Sequence, residues 1–519
     1  MKEAKTLLER CGRSAVSSSP YDEAWVLRSR SLREEDEREL LWNLLSEQKQ
    51  DGSWGASVFY IHDRVVNTLA VVLALAEREE APQERERGLE FLRQGIPRLG
   101  ESEVETIGFE LVFPGMLETA RALGLELPYE CEAVRAAEEL GRRKRALIPP
   151  GIFVKQTPLS HSLEAFGGYE DAGVFPNGSL GCSPAATAAF LMQRGQREEC
   201  QRYLRQFQQG GWNVPSIYPF EVFEYAWSLY NFLLAGLLDE VDARPALEAL
   251  WRHVQAFGGA SISDAFPVID SDDTAMAYIV LKEAGYPVQP SLLEQFEEKS
   301  WFRCFQMERN PSISANIHIL EAVRRTPDYP RRQEVLDKLL GFLRRTVRAD
   351  GSWLDKWHIS PYYCTAHALL AMGELDDELS ARALEYLRRT QREDGGWGIC
   401  GSSEEETAYA LQALVARDTS GAFQGEIEAG VRYMRAGPRP PPELWVDKGL
   451  YCPLDVVESA CLVWRAGTEE ETRSAETIRL ASVRRGEQAG SGLAAPADPA
   501  EGDAGDDSSA RVLGRSSGA

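Results

Sequence analysis

A pair of small residues recurs at the head of apolar helical runs: Thr274-Ala275, Ser314-Ala315, Thr365-Ala366, Thr407-Ala408 and Ser459-Ala460. Successive pairs lie roughly 40 to 50 residues apart, room for one helical hairpin each. The run Thr407-Ala-Tyr-Ala-Leu-Gln-Ala-Leu places apolar residues at helical rather than strand spacing. Between the runs come turns rich in Asp, Gly and Trp, Asp350-Gly-Ser-Trp353 and Gln391-Arg-Glu-Asp-Gly-Gly-Trp397-Gly398. Hairpins stacked at this period close into a double ring whose inner helices line a cavity.

The same pattern returns earlier in weaker form. Gln48-Lys-Gln-Asp-Gly-Ser-Trp54-Gly55 precedes an apolar run from Asn67, and Asn177-Gly-Ser-Leu-Gly-Cys-Ser-Pro184 precedes another from Thr187. This predicts a second helical domain, with a boundary near 230–240. A length of 519 residues also exceeds what one core normally serves. From about Ala466 the chain turns to Ala, Gly, Ser, Asp and Glu with few aromatics. Residues 467–519 are therefore expected to form a disordered, non-catalytic tail.

Composition narrows the function classes. A net charge of −24 argues against nucleic acid or an anionic membrane as partner. It also means that a polyanionic substrate needs a local basic pocket, a divalent cation, or both. No apolar stretch reaches membrane-spanning length, and the N-terminus lacks signal-peptide features, so a cytoplasmic protein is expected. The nine cysteines form no Cys-x-x-Cys pair and read as reduced thiols.

The repeat locates candidate chemistry. Asp272 lies two residues before its Thr-Ala pair and His318 four residues after Ser314, which predicts both at one end of neighbouring inner helices. Asp270-Ser271-Asp272-Asp273 sets three carboxylates in four residues beside an apolar helix. An ordinary Asp is ionised at neutral pH. Crowding like charges in a dry pocket keeps a proton on one of them. A hydrogen bond to the acid's other oxygen would orient that proton, and His318 or Asn316 could supply it. The alternative is that the cluster caps its helix or binds a cation, and that His318 is a satisfied core histidine.

Several segments, in order from about 19 to 460, resemble the class II diterpene cyclases of copalyl diphosphate synthase type. They are Ser19-Pro-Tyr-Asp-Glu-Ala-Trp-Val26, Gly108-Phe-Glu-Leu-Val-Phe-Pro114, Leu159-Ser-His161-Ser-Leu-Glu164 and Ile217-Tyr-Pro-Phe-Glu-Val-Phe-Glu-Tyr-Ala-Trp227, followed by the DxDD motif and Asp355-Lys356-Trp357. The resemblance implies an all-α fold of two (α/α) helical-hairpin barrel domains. Residues 1–28 and 235–466 would form the β domain, with 29–234 inserted as the γ domain. It implies geranylgeranyl diphosphate as substrate, Mg2+ as cofactor, and a bicyclic product that keeps its diphosphate. Since no Asp-Asp-x-x-Asp motif occurs, a downstream class I diterpene synthase is the expected partner.

Residue by residue, the resemblance implies Asp272 as proton donor supported by Asp270 and Asp273, with His318 or Asn316 orienting it. Lys356 would contact the diphosphate, unless it is a solvated surface lysine. Glu101, Glu103 and Glu105 are the Mg2+ candidates, with a charged surface stretch as the alternative. His161 matches the histidine of a His–Asn dyad that positions a water as terminating base. The Asn position is Ser216 here, too short to hold that water alike. The expectation is that cyclisation continues past the copalyl stage by hydride and methyl shifts, toward halimadienyl or clerodane skeletons. Aromatic faces should line the cavity; Trp227, Trp353, Trp357, Tyr362, Tyr363 and Trp397 are the candidates, Trp357 and Tyr362 foremost. A non-catalytic helical-repeat binding protein would explain the hairpins but not the acidic motif, and a squalene-type triterpene cyclase would share the acid.

Overall fold

Where the small-residue pair is Thr-Ala, it marks a hydrogen bond. In a computed structural model of the chain, the Trp353 N–H donates to Thr365 Oγ1 at 3.1 Å, Trp397 N–H to Thr407 Oγ1 at 3.0 Å, and Trp54 N–H to Thr68 Oγ1 at 2.9 Å. Each threonine thereby ties the preceding turn to the helix it heads. The indole N–H groups of Trp54, Trp353 and Trp397 donate outward to the carbonyls of Leu44, Leu343 and Leu387. The tryptophans of these turns pack between inner and outer helices, so Trp353 and Trp397 do not line a cavity. Gly351 must be glycine: its φ is +89°, and a Cβ there would meet the Arg382 carbonyl oxygen at 2.6 Å.

The structure describes residues 2–465 except 103, 150, 155–156, 167–172, 196, 209–210, 240, 306–307 and 309. The tail expected at 467–519 lies outside the described residues.

Two rings of helices account for the chain. In the first, the helices Glu221–Leu234, Ser271–Glu283, Ile313–Arg324, Pro361–Met372, Glu404–Arg417 and Leu454–Arg465 pack in sequence, and the last returns to the first. Outside them lie Arg244–Phe257, Arg332–Thr346, Asp377–Thr390 and Gln424–Arg435, and Lys2–Arg10 packs on Leu454–Arg465. The chain's start is also tied to that helix by the Ser17 N–H to the Cys452 carbonyl. The second ring runs Pro20–Ser29, Ile61–Arg78, Phe109–Ala122, the 3₁₀ segment Pro158–Ala165, and Pro184–Arg194, which packs back on Pro20–Ser29. The fold is all-α; the described strands are one short antiparallel hairpin, Trp445–Val446 with Leu450–Tyr451.

Two large apolar cores match these rings. One gathers residues from Ala4 to Val16 and from Phe220 to Trp464; the other gathers Tyr21 to Val214. The helix Pro20–Ser29, expected in the first ring, thus belongs to the second, and Glu221–Leu234, expected in the second, belongs to the first. Both rings use the same repeat, so a helix near a crossover carries no local mark of its ring. Two smaller patches join the rings, Ala56, Val58, Ile359, Leu444, Val446 and Leu450 on one side and Phe175, Cys182 and Phe266 on the other. No helix is long and apolar enough to cross a membrane among the described residues.

Candidate active site

The helix Ser271–Glu283 starts inside the acidic motif. The Asp270 carboxylate accepts the N–H groups of Asp272 at 2.9 Å and Asp273 at 2.8 Å, a helix N-cap. The capping role is therefore real, and one of the three carboxylates takes it. Burial raises both Asp270 and Asp273, and Asp273 is driven further up because the Asp270 charge adds to its own desolvation. Asp273 is thus biased toward its protonated form beside its capping neighbour.

Asp272 reaches in another direction. Its Oδ1 lies 2.5 Å from His318 Nδ1, and its Oδ2 accepts or donates a hydrogen bond with Ser314 Oγ at 2.8 Å. Ser314 and His318 are one turn apart on the helix Ile313–Arg324, so they share a face toward the carboxyl group. Asn316, the other candidate, points away: its amide bonds the Phe302 N–H and carbonyl and the Ser312 carbonyl. Two residues from His318 is about 200° around a helix, which puts Asn316 on the wrong side.

His318 is backed by a residue the sequence did not single out. His318 Nε2 lies 2.8 Å from His367 Nδ1, on the helix Pro361–Met372. Burial and two neighbouring histidines push His367 well below the usual imidazole range, so it is neutral. It lies two residues after Thr365, whereas His318 lies four after Ser314, so the offset from the small-residue pair does not find it.

Aromatic faces surround this carboxyl–imidazole pair. Trp227 meets His318 edge-on at 5.9 Å between centroids and donates its indole N–H to Tyr363 OH at 2.9 Å. Trp445 packs against both Trp227 and Tyr363. Tyr362 is elsewhere: it packs on Tyr386 of an outer helix, with its hydroxyl toward the Thr390 carbonyl. The expected aromatic is its neighbour Tyr363, since one residue rotates a helix face by about 100°. Such a site can hold a carboxylic acid away from water and offer π faces to a cation formed beside it.

At the junction of the rings, His161 sits on the 3₁₀ segment of the second ring. Its Nδ1 donates to the Gly181 carbonyl at 2.8 Å, and its Nε2 meets Asp447 Oδ1 at 2.9 Å. Asp447 is carried there by the turn of the strand hairpin of the first ring. Burial opposes charge on both, yet each holds the other ionised, His161 raised and Asp447 lowered. Ser216 is buried beside the same carboxylate. The next turn residue, Lys448, is buried and bonds Glu164 at 2.8 Å and Ser183 at 2.5 Å. The expected partner position, Ser216, is present, but the group that engages the His161 ring is Asp447. Nothing local in the sequence links them.

Tyr451, on the hairpin's return strand, lies within electrostatic reach of both Asp447 and Asp273, which sets the two clusters near each other.

The remaining candidates lie as follows. Lys356 pairs with Glu308 and the Asn310 carbonyl, above the Trp357 ring. Trp357 donates to Ser312 Oγ at 3.1 Å, beside the acid's helix partner. Glu101 is exposed with both oxygens on Arg98. Glu103 lies outside the described residues, and Glu105 is exposed. Among the described residues, no group of three His, Cys, Asp or Glu side chains is arranged to hold a metal.

Comparison with known proteins places the fold first. Residues 306–439 match the squalene-hopene cyclase C-terminal domain. The ent-copalyl diphosphate synthase from Streptomyces platensis superposes with a TM-score of 0.78 at 31% identity, covering 92% of this chain and 99% of that one. The type B diterpene cyclase of Mycobacterium tuberculosis is 32% identical over 496 residues, 89% of this chain and 98% of its own. The ent-copalyl diphosphate synthase of a Streptomyces species is 32% identical over 86% of this chain and 91% of its own. The chain belongs to the class II diterpene cyclases.

Proposed function

We propose that the enzyme cyclises geranylgeranyl diphosphate by protonating its terminal alkene from Asp272, and releases a bicyclic diterpenyl diphosphate with the diphosphate intact. The observation that carries this reading is the placement of Asp272: bonded to His318 and Ser314, buried among Trp227, Tyr363 and Trp445, beside an Asp273 whose carboxyl burial pushes up. Asp270 caps the helix and leaves Asp272 for chemistry. His318 fixes Oδ1, so the proton to be delivered sits on the other oxygen. The diphosphate would be retained, since the sequence has no Asp-Asp-x-x-Asp motif to ionise it. A class I synthase would then consume the product. Mg2+ belongs to the same proposal as counter-ion of the diphosphate, a role that needs only one or two protein carboxylates. Lys356 is the proposed diphosphate contact, exchanging Glu308 for the substrate.

The state of His161 supports a rearranged skeleton. An imidazolium donating both N–H groups has no lone pair with which to accept a proton or position a basic water. The first bicyclic cation would then survive to undergo hydride and methyl shifts toward a halimadienyl or clerodane skeleton. Incubation with geranylgeranyl diphosphate and Mg2+, dephosphorylation, and mass spectrometry with NMR test both parts. No cyclised product, or an Asp272→Ala variant as active as the wild type, would overturn the reaction; unrearranged copalol as sole product would overturn the skeleton.

A further inference from the structure

The hydroxyl of Ser314 touches two carboxylates at once. Its Oγ lies 2.8 Å from Asp272 Oδ2 and 2.7 Å from Asp355 Oδ2. A serine hydroxyl carries one hydrogen, so it can donate to only one of them. At such a distance the other oxygen must itself be an O–H donor, or two lone pairs would face each other in a buried site.

The neighbours decide which. Ser312 Oγ accepts the Ala315 N–H and the Trp357 indole N–H, both at 3.1 Å, which fills its lone pairs. It cannot take the Ser314 hydrogen, and its own can go to Ser314, 3.1 Å away, or to Asp355, 3.3 Å away. Asp355 Oδ1 also accepts the Ile313 N–H at 2.7 Å, the first N–H of its helix. Helix N-terminal N–H groups favour an anion. Among the described residues Asp272 accepts no backbone N–H; its other contact is His318. The negative charge therefore belongs on Asp355, Ser314 donates to it, and the proton belongs on Asp272 Oδ2.

The far end of the chain fits the same direction. With both rings neutral, His367 Nδ1–H donates to His318 Nε2, and His318 Nδ1–H donates to Asp272 Oδ1. Every hydrogen bond from His367 through His318, Asp272 and Ser314 to Asp355 then points one way. One proton assignment satisfies all five groups.

We infer that Asp355 is a positioning residue that acts through Ser314 to keep the transferable proton on Asp272 and on its Oδ2. This rests on the reading of Asp272 as the acid. In the step itself, the Oδ2–H bond breaks as a C–H bond forms at the alkene, and the electron pair stays on Asp272. Ser314 can then turn its hydrogen to the new carboxylate, while Asp355 keeps the Ile313 and Ser312 donors. The other titratable groups around Asp272 are Asp270 and Asp273 on its own helix, His318 and Asp355, Tyr363, Cys364 and His367 on the helix Pro361–Met372, and Cys304, with the Glu308–Lys356 pair beyond it.

The test is the single-turnover rate of cyclisation against pH. An Asp355→Asn side chain can still accept the Ile313 N–H, but its amide donates to Ser314, which then donates to Asp272 as an anion. The alkaline fall of the rate should move to lower pH by about one unit, a tenfold change in proton retention. Ser314→Ala should move it the same way, Ser314→Thr should leave it in place, and the double variant Ser314→Ala with Asp355→Asn should move it no further than either single one. If Asp355→Asn fails to fold, the Ala and Thr variants at 314 carry the comparison alone. A limb that stays put while the rate drops equally at every pH would overturn the inference. Undiminished activity in Asp272→Ala would instead overturn the acid assignment beneath it.

Discussion

His161 and Asp447, 286 residues apart in the chain, meet at 2.9 Å across the junction of the two rings. The Gly181 carbonyl takes the other ring nitrogen, so both are engaged, and the Asp447 carboxylate raises His161 against the cost of burial. Asp447 thus controls whether this imidazole can act as a base.

Removing that control should change the product. In Asp447→Ala, the neutral ring keeps Nδ1–H on Gly181 and exposes a lone pair at Nε2. The share of unrearranged bicyclic diphosphate should rise at the expense of rearranged product, read by gas chromatography after dephosphorylation. A product profile identical to the wild type would mean that the pair does not face the cation.

The histidine series should show graded loss. His318→Ala removes the group that orients the acid, and the single-turnover rate should fall about 100-fold, the lower range of general acid contributions. His367→Ala acts only through His318 and should cost roughly tenfold, with KM nearly constant. Equal losses in both would argue that His367 meets the substrate directly.

Neighbouring tyrosines should behave differently. Tyr363→Phe strips the Trp227 indole of its buried acceptor, and should destabilise the protein by about 1–3 kcal/mol in chemical denaturation. It should also lower cyclisation fidelity, seen as early-quenched products. Tyr362→Phe loses contacts to Thr390 and Tyr386 on the outer side of its helix and should leave the product profile as it is.

Stability should decline as pH rises from mildly acidic to neutral. Burial raises Glu224 and Glu406 to about 7, and Asp22 to about 7 despite the nearby Lys448. The unfolded chain releases these protons near pH 4, so between about 4 and 7 the folded state binds more of them. The His161 contribution runs the same way, complete below the ordinary imidazole value and lost as pH climbs through its raised one. Asp447 opposes it only in acid, where its carboxylate would be protonated. The thermal midpoint should therefore be higher at pH 5.5 than at pH 8, and Glu406→Gln should flatten the slope. A midpoint that rises toward pH 8 would contradict this.

The contact between Asp272 and His318 is legible because each lies near a repeated helix-start signal, and three of those signals are threonines that hold the preceding turn. Errors came at single-residue scale and at long range. Tyr362 and Asn316 lie one and two positions from Tyr363 and His318, and helical rotation alone separates them. Asp447 was missed because a hairpin turn of Trp-Val-Asp-Lys-Gly-Leu-Tyr says only that the chain reverses, not that its tip enters another ring. Ser314 was read as a small spacer, and its hydroxyl's place between two carboxylates depends on three separate segments. The ring membership of Pro20–Ser29 and Glu221–Leu234 was equally non-local.

The meeting of Lys2–Arg10 with Leu454–Arg465 has a consequence for how the protein comes into being. The second ring, spanning 20–214, is translated early and can close from its own segments. The ring that bears Asp272 cannot, since its opening segment must wait on the ribosome's progress to the helix that seals it. Asp272, His318 and His367 stand on three helices of that ring, so they come together only once it has formed.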